Sequence, residues 1–186
     1  MNEREMLRQQ MKRIREEASA LHVLEMSARI GERVIMMPEY LRAKRIFCYN
    51  ALPLEVQTGG LIREILRTGR ELYLPVTGKD KNMTAIRLRD PEDVHRGTFR
   101  VMEPNGDEAI DPAELDLILT PGLAFDRTGG RIGYGAGCFD RFLPLCRGIV
   151  VGLAFENQMV DRVPMEEHDQ RMDRIVTEAG VYVCRP

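Results

Sequence analysis

The chain has 186 residues, of which 44% are hydrophobic and 30% charged, a composition that predicts one soluble globular domain over residues 1–186. Its formal net charge of −2 argues against general nucleic-acid binding, because proteins that follow a phosphate backbone usually carry a basic excess. The chain begins with the charged segment MNEREMLRQQ and has no run near the roughly 20 apolar residues of a membrane span, which predicts a cytoplasmic protein without a membrane partner. Its four cysteines are widely spaced, which predicts reduced thiols.

The first 37 residues are predicted to be helical, as one amphipathic helix followed by either a second helix or a continuation past a bend. Apolar side chains recur there at spacings of three and four residues: Leu7, Met11, Ile14, Ala18 and Leu21, followed by Val23, Met26, Ile30, Val34 and Met37. Pro38 is expected to end the second helix, because proline lacks an amide donor and disfavours helix in the residue before it. The sequence therefore predicts an N-terminal helical segment.

Short apolar runs alternate with helical patterns after Pro38. Strands are predicted at 46–49, 71–76, 83–88, 115–120, 148–155, 174–177 and 181–184. One helix is predicted between Thr58, as N-cap, and Gly69, and another over 139–146. The polar segment 89–112 predicts loops with one extended piece at 99–102. This alternation favours a single-domain α/β fold with a mainly parallel sheet and helices on both faces.

A glycine-rich segment follows the strand predicted at 115–120. Five glycines fall at positions 129, 130, 133, 135 and 137, and glycine lets a ligand approach the main chain closely. The segment precedes a predicted helix, whose first amides favour phosphate, and Arg131 supplies a bidentate donor for phosphate oxygens. Neither the G-x-G-x-x-G nor the G-K-[ST] spacing occurs here. The sequence predicts either a phosphate-binding loop of another type or a flexible surface loop.

The stretch from Asp116 to Leu143, DLILTPGLAFDRTGGRIGYGAGCFDRFL, resembles the signature of the 5-formyltetrahydrofolate cyclo-ligase family. Shorter similar pieces are the basic first helix, YNALPLEVQT at 49–58, GTFRVMEP at 97–104 and HDQRMDRIVTE at 168–178. The resemblance implies ATP- and Mg²⁺-dependent conversion of 5-formyltetrahydrofolate to 5,10-methenyltetrahydrofolate, with release of ADP and phosphate. It also implies that the formyl oxygen is phosphorylated before N10 attacks the activated carbon.

The same resemblance implies which residues bind ATP. Arg4 and Arg8, one helical turn apart, are expected at the phosphates, although the family usually has lysine where Arg4 stands. The rest of the implied nucleotide site is the run Arg131, Ile132, Gly133, Tyr134, Gly135, Ala136, Gly137, Cys138 and Phe139. Arg131 and Tyr134 are the implied catalytic residues.

Folate and metal positions are implied in the same way. Folate is expected at Asn50, Glu55, Tyr134, Gly135, Ala136, Gly137 and Cys138. Asp140 and Asp169 are expected to bind Mg²⁺, with Asp173 as an alternative to Asp169. Some relatives carry arginine and lysine where this chain has Tyr134 and Ala136. Cys138 stands where tyrosine is more usual, and no nucleophilic role is expected for it.

Three functional hypotheses follow. The first is a monomeric cyclo-ligase whose partners are the small molecules ATP and 5-formyltetrahydrofolate. The second is a non-catalytic nucleotide- or folate-binding module on the same scaffold, which would bind these ligands without forming product. The third is another ATP-using enzyme with a different small-molecule substrate. The long signature and Glu55 favour the first hypothesis.

Overall fold

The computed structural model describes residues 2–185. The α-helices are α1 (Glu3–Glu16), α2 (Ala20–Met36), α3 (Pro38–Arg42), α4 (Gly59–Arg67) and α5 (Cys138–Phe142). The strands are β1 (Arg45–Phe47), β2 (Glu71–Thr77), β3 (Met83–Leu88), β4 (Val94–Arg96), β5 (Met102–Pro104), β6 (Ala109–Ile110), β7 (Leu117–Thr120), β8 (Ala124–Phe125), β9 (Arg131–Ile132), β10 (Ile149–Leu153), β11 (Arg174–Val176) and β12 (Val181–Val183). Between residues 2 and 185, no helix has the length and apolar character needed to cross a membrane.

One eight-stranded sheet forms the centre of the fold. Its strand order is β12-β11-β10-β7-β1-β2-β3-β6, and the five strands from β11 to β2 run parallel. Antiparallel strands β3, β6 and β12 extend the two ends. The parallel centre explains the apolar runs, since strands buried on both faces need no polar alternation. The predicted mainly parallel α/β fold is confirmed.

Apolar side chains cover both faces of the sheet. On one face, Ile46 and Leu119 pack in a cluster with buried residues of α2, α3 and α4. On the other face, Phe47 packs against Phe142 of α5, with the ring centroids 4.7 Å apart. Complete burial of a side chain such as Phe47 contributes about 1.5–3 kcal/mol. Helix α1 joins a third cluster through Met11, and it thereby lies against the glycine-rich segment.

The boundary between α1 and α2 differs from the prediction. Helix α1 ends at Glu16, and Leu21 is 66% exposed in the first turn of α2 instead of continuing the apolar face of α1. Ser19 sets this boundary, because its hydroxyl accepts a hydrogen bond from the His22 amide at 3.2 Å. Pro38 ends α2 as predicted and also begins α3, where its missing amide costs nothing.

Replacing Ser19 by alanine is expected to lower the free energy of unfolding by about 1 kcal/mol, because the first amides of α2 lose their capping acceptor. Urea unfolding followed by circular dichroism measures the change. The Ser19→Asp variant is the matched control, since aspartate retains an acceptor at the cap. Equal losses in both variants would contradict the capping role.

Three local predictions were wrong. The segment 89–112 contains the strands β4, β5 and β6, and residues 98–100 form a 3₁₀ turn in which Phe99 has a φ of +56°. The hydroxyl of Thr58 donates to the Tyr49 carbonyl at 2.6 Å instead of capping α4. The helix predicted over 139–146 is only the five residues of α5 followed by a 3₁₀ turn, because Pro144 has no amide to continue an α-helix.

Candidate active site

A cavity of about 360 Å³ opens at the carboxyl ends of the parallel strands. Asn50 follows β1, Thr77 ends β2 and Pro121 follows β7, so the topology brings three distant segments to one edge of the sheet. The remaining lining residues are Arg8, Tyr49, Leu52, Glu55, Pro75, Met83, Phe99, Val101, Gly122, Arg131, Gly133, Tyr134, Gly135, Ala136, Gly137, Cys138, Phe139 and Asp140. This edge is where open α/β sheets commonly bind ligands.

The glycine-rich segment forms one wall of the cavity. Gly135 and Gly137 have φ values of +103° and +70°, which side chains other than glycine rarely adopt. Within the described residues, the backbone amides of 133–140 donate to no protein acceptor. A row of free amides on a concave wall is suited to binding anionic oxygens. These amides are available for the predicted phosphate contacts, although α5 is too short to supply a full helix dipole.

Arg131 lies beneath this wall and is 3% exposed. Its guanidinium donates to the Asp140 carboxylate at 2.6 Å and to the Pro121 carbonyl at 3.2 Å, and it lies 5.4 Å from the centroid of the Phe139 ring. Burial lowers the pKa of Arg131, while Asp140 opposes that shift. The Nε of Arg131 is buried and has no partner within residues 2–185. The structure thus holds a fixed positive charge beside the free amides.

The two predicted basic residues of α1 have different surroundings. Arg8 lines the cavity, where its Nε donates to the Gly133 carbonyl at 3.0 Å. Arg4 does not line the cavity. It forms an ion pair with Asp169 and donates to the Pro164 carbonyl at 2.8 Å. Arg8 is therefore positioned to reach a ligand in the cavity, whereas Arg4 is already engaged.

The predicted metal ligands also differ. One Asp140 oxygen pairs with Arg131, and the other has no hydrogen-bond partner among the described residues, while the residue lines the cavity. Both Asp169 oxygens face Arg4, and one also accepts the Glu166 amide at 2.8 Å. Arg4 lowers the pKa of the Asp169 carboxyl, in opposition to burial. Asp140 thus has a free oxygen for a cation, whereas Asp169 would have to exchange Arg4 for one.

Asp173, the alternative to Asp169, lies at the other end of the sheet. Its carboxylate accepts a hydrogen bond from the Val150 amide at 2.8 Å, at the amino end of β10. The cavity lies at the carboxyl ends of the same parallel strands. Asp173 therefore joins two strands and faces away from the candidate site. Near Asp169, Glu166 and His168 have potential ligand atoms within 4.8 Å of one another, beside Arg4.

The predicted folate residues Asn50 and Glu55 both line the cavity. Glu55 is 4% exposed, and its carboxylate accepts a hydrogen bond from the Leu52 amide at 2.9 Å. Burial raises the pKa of the Glu55 carboxyl, while the Leu52 amide and the positive charge of Arg15 oppose that shift. A buried carboxylate with unused acceptor positions is suited to a ligand that offers several N–H donors.

The remaining predicted loop residues differ in whether the side chain or only the backbone can reach a ligand. Tyr134, Ala136 and Cys138 line the cavity, whereas the Ile132 side chain is fully buried in the cluster with α1 and can offer only its backbone. Burial raises the pKa of the Cys138 thiol. A raised pKa disfavours the thiolate, which is the nucleophilic form.

Sequence reasoning assigned no role to Phe99, which lines the cavity, or to Arg15, which lies behind Tyr134. Phe99 lines the mouth, because its turn is anchored by a hydrogen bond of 2.8 Å from the Thr98 hydroxyl to the Thr77 carbonyl. Arg15 is 6% exposed behind Tyr134 and donates to the Tyr134 hydroxyl and the Gly122 carbonyl. Arg15 could have been found from the sequence, because it lies four residues after Met11 and therefore places a charge on the apolar face of α1.

Comparison with known proteins gives a consistent result. The family model described as the 5-formyltetrahydrofolate cyclo-ligase family matches residues 1–178. A mouse protein named 5-formyltetrahydrofolate cyclo-ligase is 30% identical over 186 aligned residues, which cover 92% of each chain. The Saccharomyces cerevisiae protein of the same name is 29% identical, and the alignment covers 97% of each chain.

Solved structures agree with the sequence relatives. The NMR structure of Aquifex aeolicus 5,10-methenyltetrahydrofolate synthetase superimposes with a TM-score of 0.89 at 31% identity, covering 98% of this chain and 93% of the other. A synthetase from Mycoplasma pneumoniae, with a TM-score of 0.77 and 19% identity, has the same fold. The family match spans nearly the whole chain and includes every element that lines the cavity. The chain therefore belongs to the 5-formyltetrahydrofolate cyclo-ligase family.

Proposed function

We propose that this chain converts 5-formyltetrahydrofolate to 5,10-methenyltetrahydrofolate with consumption of ATP. The observation that carries the proposal is one cavity lined both by free amides and arginines and by a buried carboxylate. The amides of 133–140, with Arg8 and Arg131, suit the phosphates of ATP. Glu55 and Asn50 suit the pterin, whose ring and amino N–H groups need acceptors. The membership of the family supports both assignments.

The chemistry follows from the weakness of a formamide as an electrophile. The formyl oxygen attacks the γ-phosphorus of ATP, and the bond from that phosphorus to the bridging oxygen breaks, which releases ADP. N10 then attacks the activated formyl carbon and loses its proton, and the carbon–oxygen bond breaks to release phosphate. The protein needs no nucleophile for these steps. Its task is to hold two substrates in line and neutralise charge on the transferred group.

Arg131 and the free amides are assigned the charge-neutralising role. The guanidinium is fixed by Asp140 and the Pro121 carbonyl, so little reorganisation is required when negative charge develops nearby. Tyr134 is assigned a catalytic role as a hydrogen-bond donor at the same wall. Arg4 is assigned to ATP only after release from Asp169, which makes it the weaker of the two α1 candidates.

Mg²⁺ is part of the proposal, with Asp140 as the carboxylate that would hold it. The free Asp140 oxygen lines the cavity, and magnesium in phosphate sites commonly binds one or two carboxylates together with phosphate oxygens. When bound, the ion neutralises phosphate charge. Asp169 is the second candidate, supported over Asp173 by its location near Arg131 and Arg4. Both Asp169 oxygens would first have to leave Arg4.

The wider assignments rest on the whole chain. The match over residues 1–178 supports a single functional domain over residues 1–186. We assign this domain to the cytoplasm as a monomer that acts on small molecules, without a nucleic-acid or membrane partner. The net charge of −2 and the absence of any membrane-spanning helix in residues 2–185 support that assignment.

The proposal is tested by following absorbance of the methenyl product with purified protein, 5-formyltetrahydrofolate, ATP and Mg²⁺. We expect a rise that disappears when either ATP or Mg²⁺ is omitted. Binding of ATP and folate without product would contradict catalysis and favour the binding module. Release of ADP with another small molecule, but not with the formyl-folate, would favour a different ATP-using enzyme.

A further inference from the structure

Arg15 is a buried cation that the roles assigned above do not require. It lies in the last turn of α1 and is 6% exposed. Within residues 2–185 it forms no ion pair with a carboxylate, and its hydrogen bonds go to two neutral acceptors, the Tyr134 hydroxyl and the Gly122 carbonyl. Its Nε is buried without a partner. Its charge acts on the buried Glu55 carboxylate without a direct contact. Burial of a cation that has no directly bonded carboxylate is costly, which indicates a purpose beyond stability.

The contact with Arg15 determines what Tyr134 can do. A guanidinium can only donate, so the Tyr134 oxygen accepts from Arg15, and its own hydroxyl hydrogen must point elsewhere. Within the described residues, that hydroxyl donates to no protein acceptor, while Tyr134 lines the cavity and is 45% exposed. The arginine also lies 5.6 Å from the Tyr134 ring centroid, which fixes the ring from below.

The protonation state of the Tyr134 phenol is consistent with a role as hydrogen-bond donor. Burial raises the pKa of Tyr134, and Arg15 only partly opposes that shift. The hydroxyl therefore keeps its hydrogen at neutral pH. Between Ile132 and Phe139 the loop carries no basic side chain, so α1 supplies the positive charge at this part of the wall, with Arg8 at Gly133 and Arg15 at Tyr134.

We propose that Arg15 is a positioning residue that directs the Tyr134 hydroxyl hydrogen into the cavity, toward an oxygen of the transferred phosphoryl group. This inference rests on the proposed function for the identity of that group. The free amides of 133–140 flank Tyr134 along the chain, and residues 133–140 line the same cavity, so a hydroxyl hydrogen directed into that cavity can serve an anionic oxygen bound there. Arg15 acts through Tyr134 and does not itself line the cavity.

The test is a double-mutant cycle with Arg15→Gln, Tyr134→Phe and their combination. Each single variant is expected to lower kcat by about tenfold to a hundredfold, the effect of one hydrogen bond involving a charged group, with little change in KM. The double variant is expected to be no slower than either single variant. Arg13→Gln, an exposed change in the same turn, is the matched control with wild-type kcat. Multiplied losses in the double variant would overturn the proposal.

Two further measurements keep the test decisive. Where Arg15→Gln fails to fold, Arg15→Lys replaces it in the cycle, because lysine keeps the charge but loses the planar fork. Affinity for ADP with aluminium fluoride, a mimic of the transferred group, is measured for the same variants without turnover. Coupling between positions 15 and 134 is expected with the mimic and not with ADP alone. If the wild type forms no product but positions 15 and 134 are coupled in mimic affinity, the proposed function is wrong and the inference stands. If the two substitutions change mimic affinity independently, the inference is overturned.

Discussion

Replacement of Asp140 by asparagine is expected to lower turnover by about a hundredfold or more, the scale seen when one preorganised charge-stabilising group is lost. Asp140 is the carboxylate paired with the buried Arg131, at 2.6 Å, and its other oxygen faces the cavity. The amide of asparagine removes the negative charge from both contacts. Arg131 then loses its orientation, and the proposed magnesium position loses its free carboxylate oxygen.

The same variant is expected to be less stable. Breaking a buried ion pair leaves an uncompensated charge and typically costs about 3–5 kcal/mol, an upper range here because Asp140 is partly exposed. Product formation and urea unfolding measure the two effects separately. Asp107→Asn, an exposed carboxylate change away from the cavity, is the matched control. Turnover near the wild-type rate in Asp140→Asn would contradict the assigned role of this pair.

Replacement of Glu55 by glutamine is expected to raise KM for 5-formyltetrahydrofolate by at least about tenfold, because a charge-assisted hydrogen bond to the pterin is lost. The variant amide can still accept from the Leu52 backbone, so the local turn is preserved. KM for ATP is expected to change little, since Glu55 is not among the groups assigned to the phosphates. Steady-state kinetics with each substrate varied in turn distinguishes the two effects.

Glu55→Gln is also expected to stabilise the free protein at neutral pH. Burial raises the pKa of the Glu55 carboxyl above its ordinary value of 4.5, so the folded state binds this proton more tightly than the unfolded state does. Ionisation of Glu55 therefore opposes folding increasingly as pH rises above 4.5. Below that value both states are protonated, and the benefit of glutamine should vanish.

Thermal unfolding of the wild type and Glu55→Gln across this pH range measures the effect. Glu25→Gln, a change on the exposed side of α2, is the control for the removal of one carboxylate. A variant that is less stable than the wild type at neutral pH would contradict the interpretation of Glu55 as a destabilising, ligand-directed carboxylate.

Helix α1 illustrates how far patterns in the sequence reach. The three-four spacing of Leu7, Met11 and Ile14 was sufficient to predict the helix, because amphipathic periodicity is a local property. The spacing could not show that Arg4 lies against Asp169, which is 165 residues away. Such pairs depend on how the chain folds back on itself, and the local spacing of residues does not predict them. The same limit applies to Phe99, whose turn is anchored on β2.

The alternating α/β architecture and the glycine-rich segment were predictable from the sequence, since they depend on local periodicity and on residues with special backbone freedom. The family signature added the expected ligands. The folded chain was needed to show that Arg131 pairs with Asp140, that Arg4 pairs with Asp169 and that Arg15 donates to the neutral Tyr134 hydroxyl. Electrostatic energies depend on distance and burial, and packing between segments remote in the chain determines both.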